Sequence, residues 1–102
     1  MRIDIDTDEA TVDVLDAADL KRLDAHVTGD GAIAAALTLT QSGRPDPDGA
    51  HLWIDIAWLR ETAGESQNAA WQKDFDGMIA YATSKGWVDT AGAAVRVHLQ
   101  RG

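Results

Sequence analysis

Aliphatic residues recur at every second position in three well-separated stretches: Arg2-Ile3-Asp4-Ile5-Asp6, His51 to Ala57, and Ala94 to Gln100. A period of two fits a strand with one buried face and fits no helix. Strands near both ends and in the middle of the chain call for a single sheet that packs one face on a core. In the middle stretch Leu52, Ile54 and Ile56 point one way, and His51, Trp53, Asp55 and Ala57 the other. In the last stretch Val95, Val97 and Leu99 oppose Arg96, His98 and Gln100.

The 102 residues, 45% of them apolar, suit one domain spanning 1–102 and a soluble globular chain. The chain has no cysteine, which removes disulfides, thiolate metal sites and a cysteine nucleophile. Between the strands, Thr11 to Val14 alternates too and reads as a second short strand or an extended connector. Asp16 reads as an N-cap, with Leu20, Leu23 and Val27 on one face of a following helix, His26 in its last turn and Gly29 as its stop. Residues 32–40 carry two signals. Ala34-Ala35-Ala36 favours helix, while Ile33, Ala35, Leu37 and Leu39 alternate as in a strand; the longer match predicts a strand. Gln41 to Gly49, with both prolines and two glycines, reads as a loop. Trp58 to Glu61 adds a turn of helix before Gly64. Ser66 to Lys85 forms a long helix with Trp71, Phe75, Met78, Ile79 and Ala82 as its apolar stripe, closed by Gly86 and Trp87.

The resulting order, strand-helix-strand-strand-helix-strand, predicts an α+β ferredoxin-like βαββαβ sandwich: a four-stranded antiparallel sheet with two helices on one face. Its strand order would be fourth, first, third, second. One core would contain Ile3, Ile5, Leu20, Leu23, Leu37, Ile54, Phe75, Ile79, Val95 and Val97. The open face would carry Arg2, Asp4, Asp6, Trp53, Asp55, Arg96 and His98. A tryptophan there needs cover from a loop of the chain, a second subunit or a ligand.

Seventeen acidic against nine basic residues set the net charge at −8 and argue against nucleic-acid binding, which rests on Lys and Arg. No apolar run is long enough to span a membrane, and the acid-rich start is unlike a signal peptide; the expected compartment is the cytoplasm. Asp4, Asp6 and Asp8 match the start of a calcium loop, but Glu9 and Leu15 stand where that loop needs glycine and glutamate. Asp46, Asp48 and Gly49 fail similarly because Arg44 holds the first position. No phosphate loop, dinucleotide fingerprint, zinc helix or nucleophile elbow occurs, and neither a metal nor another cofactor is expected.

On the expected sheet, His98 and Arg96 lie beside Asp4 or Asp6, with Asp55 on the next strand. Histidine titrates near neutrality, so a His98–carboxylate pair suits acid–base chemistry, and Arg96 suits an anion. Trp53 suits a binding surface. The leading expectation is a small acidic cytosolic binding or interaction protein that self-associates through the open sheet face, without catalysis. One alternative is a dimeric α+β-barrel enzyme acting on a small organic molecule, with His98 and Asp4 or Asp55 as acid and base and Arg96 holding the substrate. Another is an immunity or antitoxin protein whose acidic surface meets a basic toxin.

Overall fold

A computed structural model describes residues 1–64 and 68–101. The alternating stretches form strands, but the architecture differs from the ferredoxin-like expectation. Six strands make one mixed sheet, curled into a half-barrel, with three helices. The strands are β1 (Arg2–Asp6), β2 (Thr11–Leu15), β3 (Asp24–Thr28), β4 (Gly43–Pro45), β5 (His51–Asp55) and β6 (Ala94–Arg101). The helices are α1 (Ile33–Thr40), α2 (Ile56–Gly64) and α3 (Ala69–Ser84). Across the sheet the order is β2-β1-β3-β6-β5-β4, with β3 parallel to both β1 and β6 and the other pairs antiparallel.

Three segments account for the difference. The helix expected after Asp16 is replaced by a loop and a strand. Asp16 adopts a left-handed conformation (φ +53°), the Asp19 amide closes a turn on its carbonyl, and residues 24–28 become β3. The helical spacing of Leu20, Leu23 and Val27 hid a period of two in Asp24-Ala25-His26-Val27-Thr28, where Ala25 and Val27 are buried between β1 and β6. Gly29 follows that strand with a positive φ of +91°, and a Cβ there would also lie 2.5 Å from the Thr7 hydroxyl oxygen.

Residues 33–40 are helix, not strand. Ala36 and Leu37 are buried and Ile33 and Thr40 half-buried, a helical spacing, whereas Ala35 and Leu39 of the expected inner face are exposed. The Thr40 hydroxyl donates to the Ala36 carbonyl, and the left-handed Gln41 returns its amide to Leu37 and Thr38. Helix propensity of the alanines won over alternation here. The expected loop at 41–49 supplies β4, an edge strand where proline costs no ladder bond. Only glycine fits at Gly43, because a Cβ would meet the Trp53 carbonyl oxygen at 2.1 Å.

After β5 the chain turns directly into α2. Asp55 ends the strand two residues earlier than expected, and its carboxylate accepts the Trp58 amide at 2.8 Å. The single turn expected at Trp58–Glu61 is a nine-residue helix. Asn68 caps α3 by accepting the Trp71 amide at 3.0 Å; the start expected at Ser66 lies outside the described residues. At the far end the Trp87 amide closes back on the Ala82 carbonyl, as the Gly86-Trp87 signal implied.

Although the topology changed, the expected core residues lie inside or against the core. Ile3, Ile5, Leu37, Ile54, Phe75, Val95 and Val97 are buried in one core, with Leu20, Leu23 and Ile79 half-buried against it. Trp71 stacks on Phe75 with ring centroids 5.1 Å apart, and its indole N–H donates to the Ala17 carbonyl at 2.7 Å. That bond pins the irregular stretch 16–23 to α3. The Met1 amino group holds the same stretch from the other side, donating to the Asp19 and Arg22 carbonyls.

Candidate functional site

The site grows from an interruption beside β6. The Arg96 amide donates to the Trp87 carbonyl at 2.7 Å, the Asp89 amide to the Ala94 carbonyl, and Val88 bridges Val95. Residues 87–89 thus line the same edge of β6 that β3 occupies further on, where Asp24 stands opposite His98. Two different segments share one strand edge end to end, and Leu23 and Trp87 face each other across the join.

A cavity of about 240 Å³ opens there, lined by Leu23, His51, Trp87, Arg96 and His98. Leu23, Trp87 and Arg96 also line a larger groove of about 440 Å³. Its walls are Leu20, Lys21 and Arg22 from the irregular stretch, and Met78, Ile79 and Tyr81 from α3. The shared residues make the two depressions one slot. Tyr81 is 58% exposed and Trp87 43%, with their rings edge to face at 6.0 Å. Large apolar side chains left open around a concave surface are characteristic of ligand sites.

A charged network closes the cavity end. Arg96 donates from Nε to Asp46 (3.0 Å) and from Nη2 to Asp48 (2.7 Å). Asp48 Oδ2 also meets His51 Nδ1 at 2.7 Å, while Oδ1 accepts the Ala50 and His51 amides. The Ala50 amide first, and then the His51 contacts, hold the Asp48 carboxyl down at about 2, partial desolvation working the other way. An ionised Asp48 makes Nδ1 of His51 a donor and leaves Nε2 as the basic nitrogen. The His98 ring stands edge-on to His51 at 5.3 Å.

The structure separates the residues expected to act together. His98 is exposed, and its neighbours across the sheet are His51 and Asp24; β3 lies between β6 and β1 and keeps Asp4 away. Asp4 instead takes the Arg2 guanidinium at 2.8 Å, and Asp55 caps α2. Trp53 stands opposite Arg44 of β4, whose guanidinium carbon lies 5.5 Å from the ring centroid. The chain's own edge strand therefore supplies cover for this tryptophan. Arg96 does line the slot, beside His98.

Sequence reasoning missed Asp48, His51 and Trp87. The signal for the first pair was the spacing Asp48-Gly49-Ala50-His51, in which an aspartate can accept the amides two and three positions on. Among the described residues no group of three or more histidine, aspartate or glutamate side chains is placed to hold a metal ion. No helix among them is long and apolar enough to cross a membrane. Comparison with family models, with curated proteins and with solved structures gives no match to this chain.

Proposed function

We propose that this chain is a cytoplasmic binding protein whose ligand lies in the slot between residues 20–23, α3 and Trp87. One observation carries the reading: Met78, Ile79, Tyr81 and Trp87 line a groove of about 440 Å³, with Tyr81 and Trp87 exposed and Met78 and Ile79 only half-buried. A groove of this size suits a small molecule with an apolar body. Binding accounts for the geometry better than acid–base catalysis does. The Arg96 guanidinium already has two carboxylate partners, and the exposed His98 makes no salt bridge among the described residues. An exposed pair has little electrostatic leverage on a reaction.

The test is a fluorescence titration with the neutral apolar probe N-phenyl-1-naphthylamine. The reading expects saturable binding of one probe per chain. Binding should be lost in Met78→Asp and unchanged in Leu39→Asp, whose side chain is 73% exposed on α1 and away from the slot. Circular dichroism confirms that both variants fold. Binding that never saturates, or that survives Met78→Asp in a folded chain, contradicts it.

A further inference from the structure

The slot is unusual for this chain in its charge. Seventeen acidic residues outnumber nine basic ones overall, yet among the described residues no acidic one lines either part of the slot, while Lys21, Arg22 and Arg96 do. Asp19 and Asp24 flank the stretch 20–23 in sequence. Asp19 turns its carboxylate onto the Lys21 amide, and both acids line a separate depression that Asp16 and Arg22 also border. The cations differ among themselves. Arg96 is held by Asp46 and Asp48, so its charge is neutralised from within the chain. Lys21 and Arg22 make no salt bridge among the described residues, and neither does Lys85, whose ammonium lies 5.4 Å from the Tyr81 ring centroid. Lys21 and Arg22 thus line the groove without a salt bridge among the described residues, with Lys85 beside the Tyr81 ring, on an otherwise acidic protein. In a site whose walls are apolar, such a cluster attracts an anion and repels a cation.

Resting on the binding reading above, we infer that the ligand is an amphipathic monocarboxylate of small-molecule size, a fatty or aryl acid. Its apolar body lies along Met78, Ile79 and Trp87, and its carboxylate meets Lys21 and Arg22 at the mouth. The long aliphatic stems of these two side chains let them reach the head group while covering the tail. At the other end the Arg96 guanidinium is already engaged by the carboxylates of Asp46 and Asp48 behind it, which leaves no free charge there for a second anion. One negative end is therefore accommodated and two are not.

Displacement of the bound naphthylamine probe by decanoate, decanol and decylammonium, each below its micellar concentration, tests the charge directly. Two or three exposed ionic contacts should favour decanoate over decanol by about tenfold at low ionic strength. The preference should shrink in high salt, where such contacts are screened. Lys21→Gln with Arg22→Gln should abolish most of the preference while decanol still binds. Decanol binding as tightly as decanoate overturns the carboxylate and leaves the slot intact. Failure of the probe and of all three amphiphiles overturns both readings. Displacement of the probe by an acidic amphipathic peptide, with none by decanoate, overturns the small-molecule assignment in favour of a protein partner.

Discussion

The two halves of α3 carry the same helical stripe and meet different fates. In the first half Trp71 and Phe75 are buried, with Phe75 completely enclosed. There α2 lies alongside: Arg60 reaches over the Phe75 ring at 4.7 Å and bonds to Gln72 and Asp76. In the second half Ala82 is buried against the chain's return, but Met78 and Ile79 are half-covered and Tyr81 stands open. Facing them is the irregular stretch 16–23, too slight to bury them. Periodicity identifies the side chains that favour cover; it does not reveal whether the rest of the chain has the bulk to provide it.

Deleting one side chain from each half gives the largest contrast. Phe75→Ala removes a fully buried ring and should cost about 3–5 kcal/mol, a large share of the stability of so small a domain. Met78→Ala should cost less than about 1.5 kcal/mol, since its side chain is already half in water. Urea denaturation of both variants measures the difference. Equal losses would show that the second half is as well packed as the first.

The join between the halves is next in size. Trp71→Phe keeps most of the packing on Phe75 but removes the bond to the Ala17 carbonyl. The expected loss is about 0.5–1.5 kcal/mol. Because that bond anchors the stretch bearing Leu20 to Leu23, probe affinity should fall as well. Unchanged affinity would show that the wall of the slot is held by other contacts.

A smaller effect separates the network at the slot's inner end from the apolar groove. Folding lowers the Asp48 carboxyl from 3.8 to about 2. A depressed pKa contributes stability above the unfolded value, and that contribution fades as pH falls through the folded one. Asp48→Asn should therefore lower the melting temperature near neutral pH, and the gap from the parent should close between 3.8 and about 2. A gap independent of acid would mean that the carboxylate's charge contributes nothing. Trp87→Ala should weaken the probe, because this residue, 43% exposed, lines both parts of the slot.

How far the chain could be read in advance follows the same division. Strand faces were legible in β1, β5 and β6 because alternation admits one solution, and the core residues derived from them are the ones found inside. The ladder was not. Ala25 and Val27 sit in a strand that leucines at helical spacing concealed, and inserting that strand between β1 and β6 carried His98 away from Asp4. In α1 the same eight residues carry both signals, and the helix propensity of the alanines, together with the fit of Ala36 and Leu37 in the core, decides. The slot was less legible still. It depends on Trp87 and Leu23 meeting across a gap in a strand edge, a relation between segments more than sixty residues apart in sequence. Of the residues singled out, Arg96 and His98 do lie at the slot, while Trp53, Asp4 and Asp55 are engaged elsewhere.

The most direct measurement follows the indole N–H resonances of the chain's tryptophans during titration with N-phenyl-1-naphthylamine. Trp71 marks the packed half of α3, and Trp87 the slot beside the open half. The slot reading expects the Trp87 signal to shift in proportion to saturation while the signals of Trp71 and Trp53 stay in place. Shifts at Trp53 with none at Trp87, or no saturable shift at all, would contradict it.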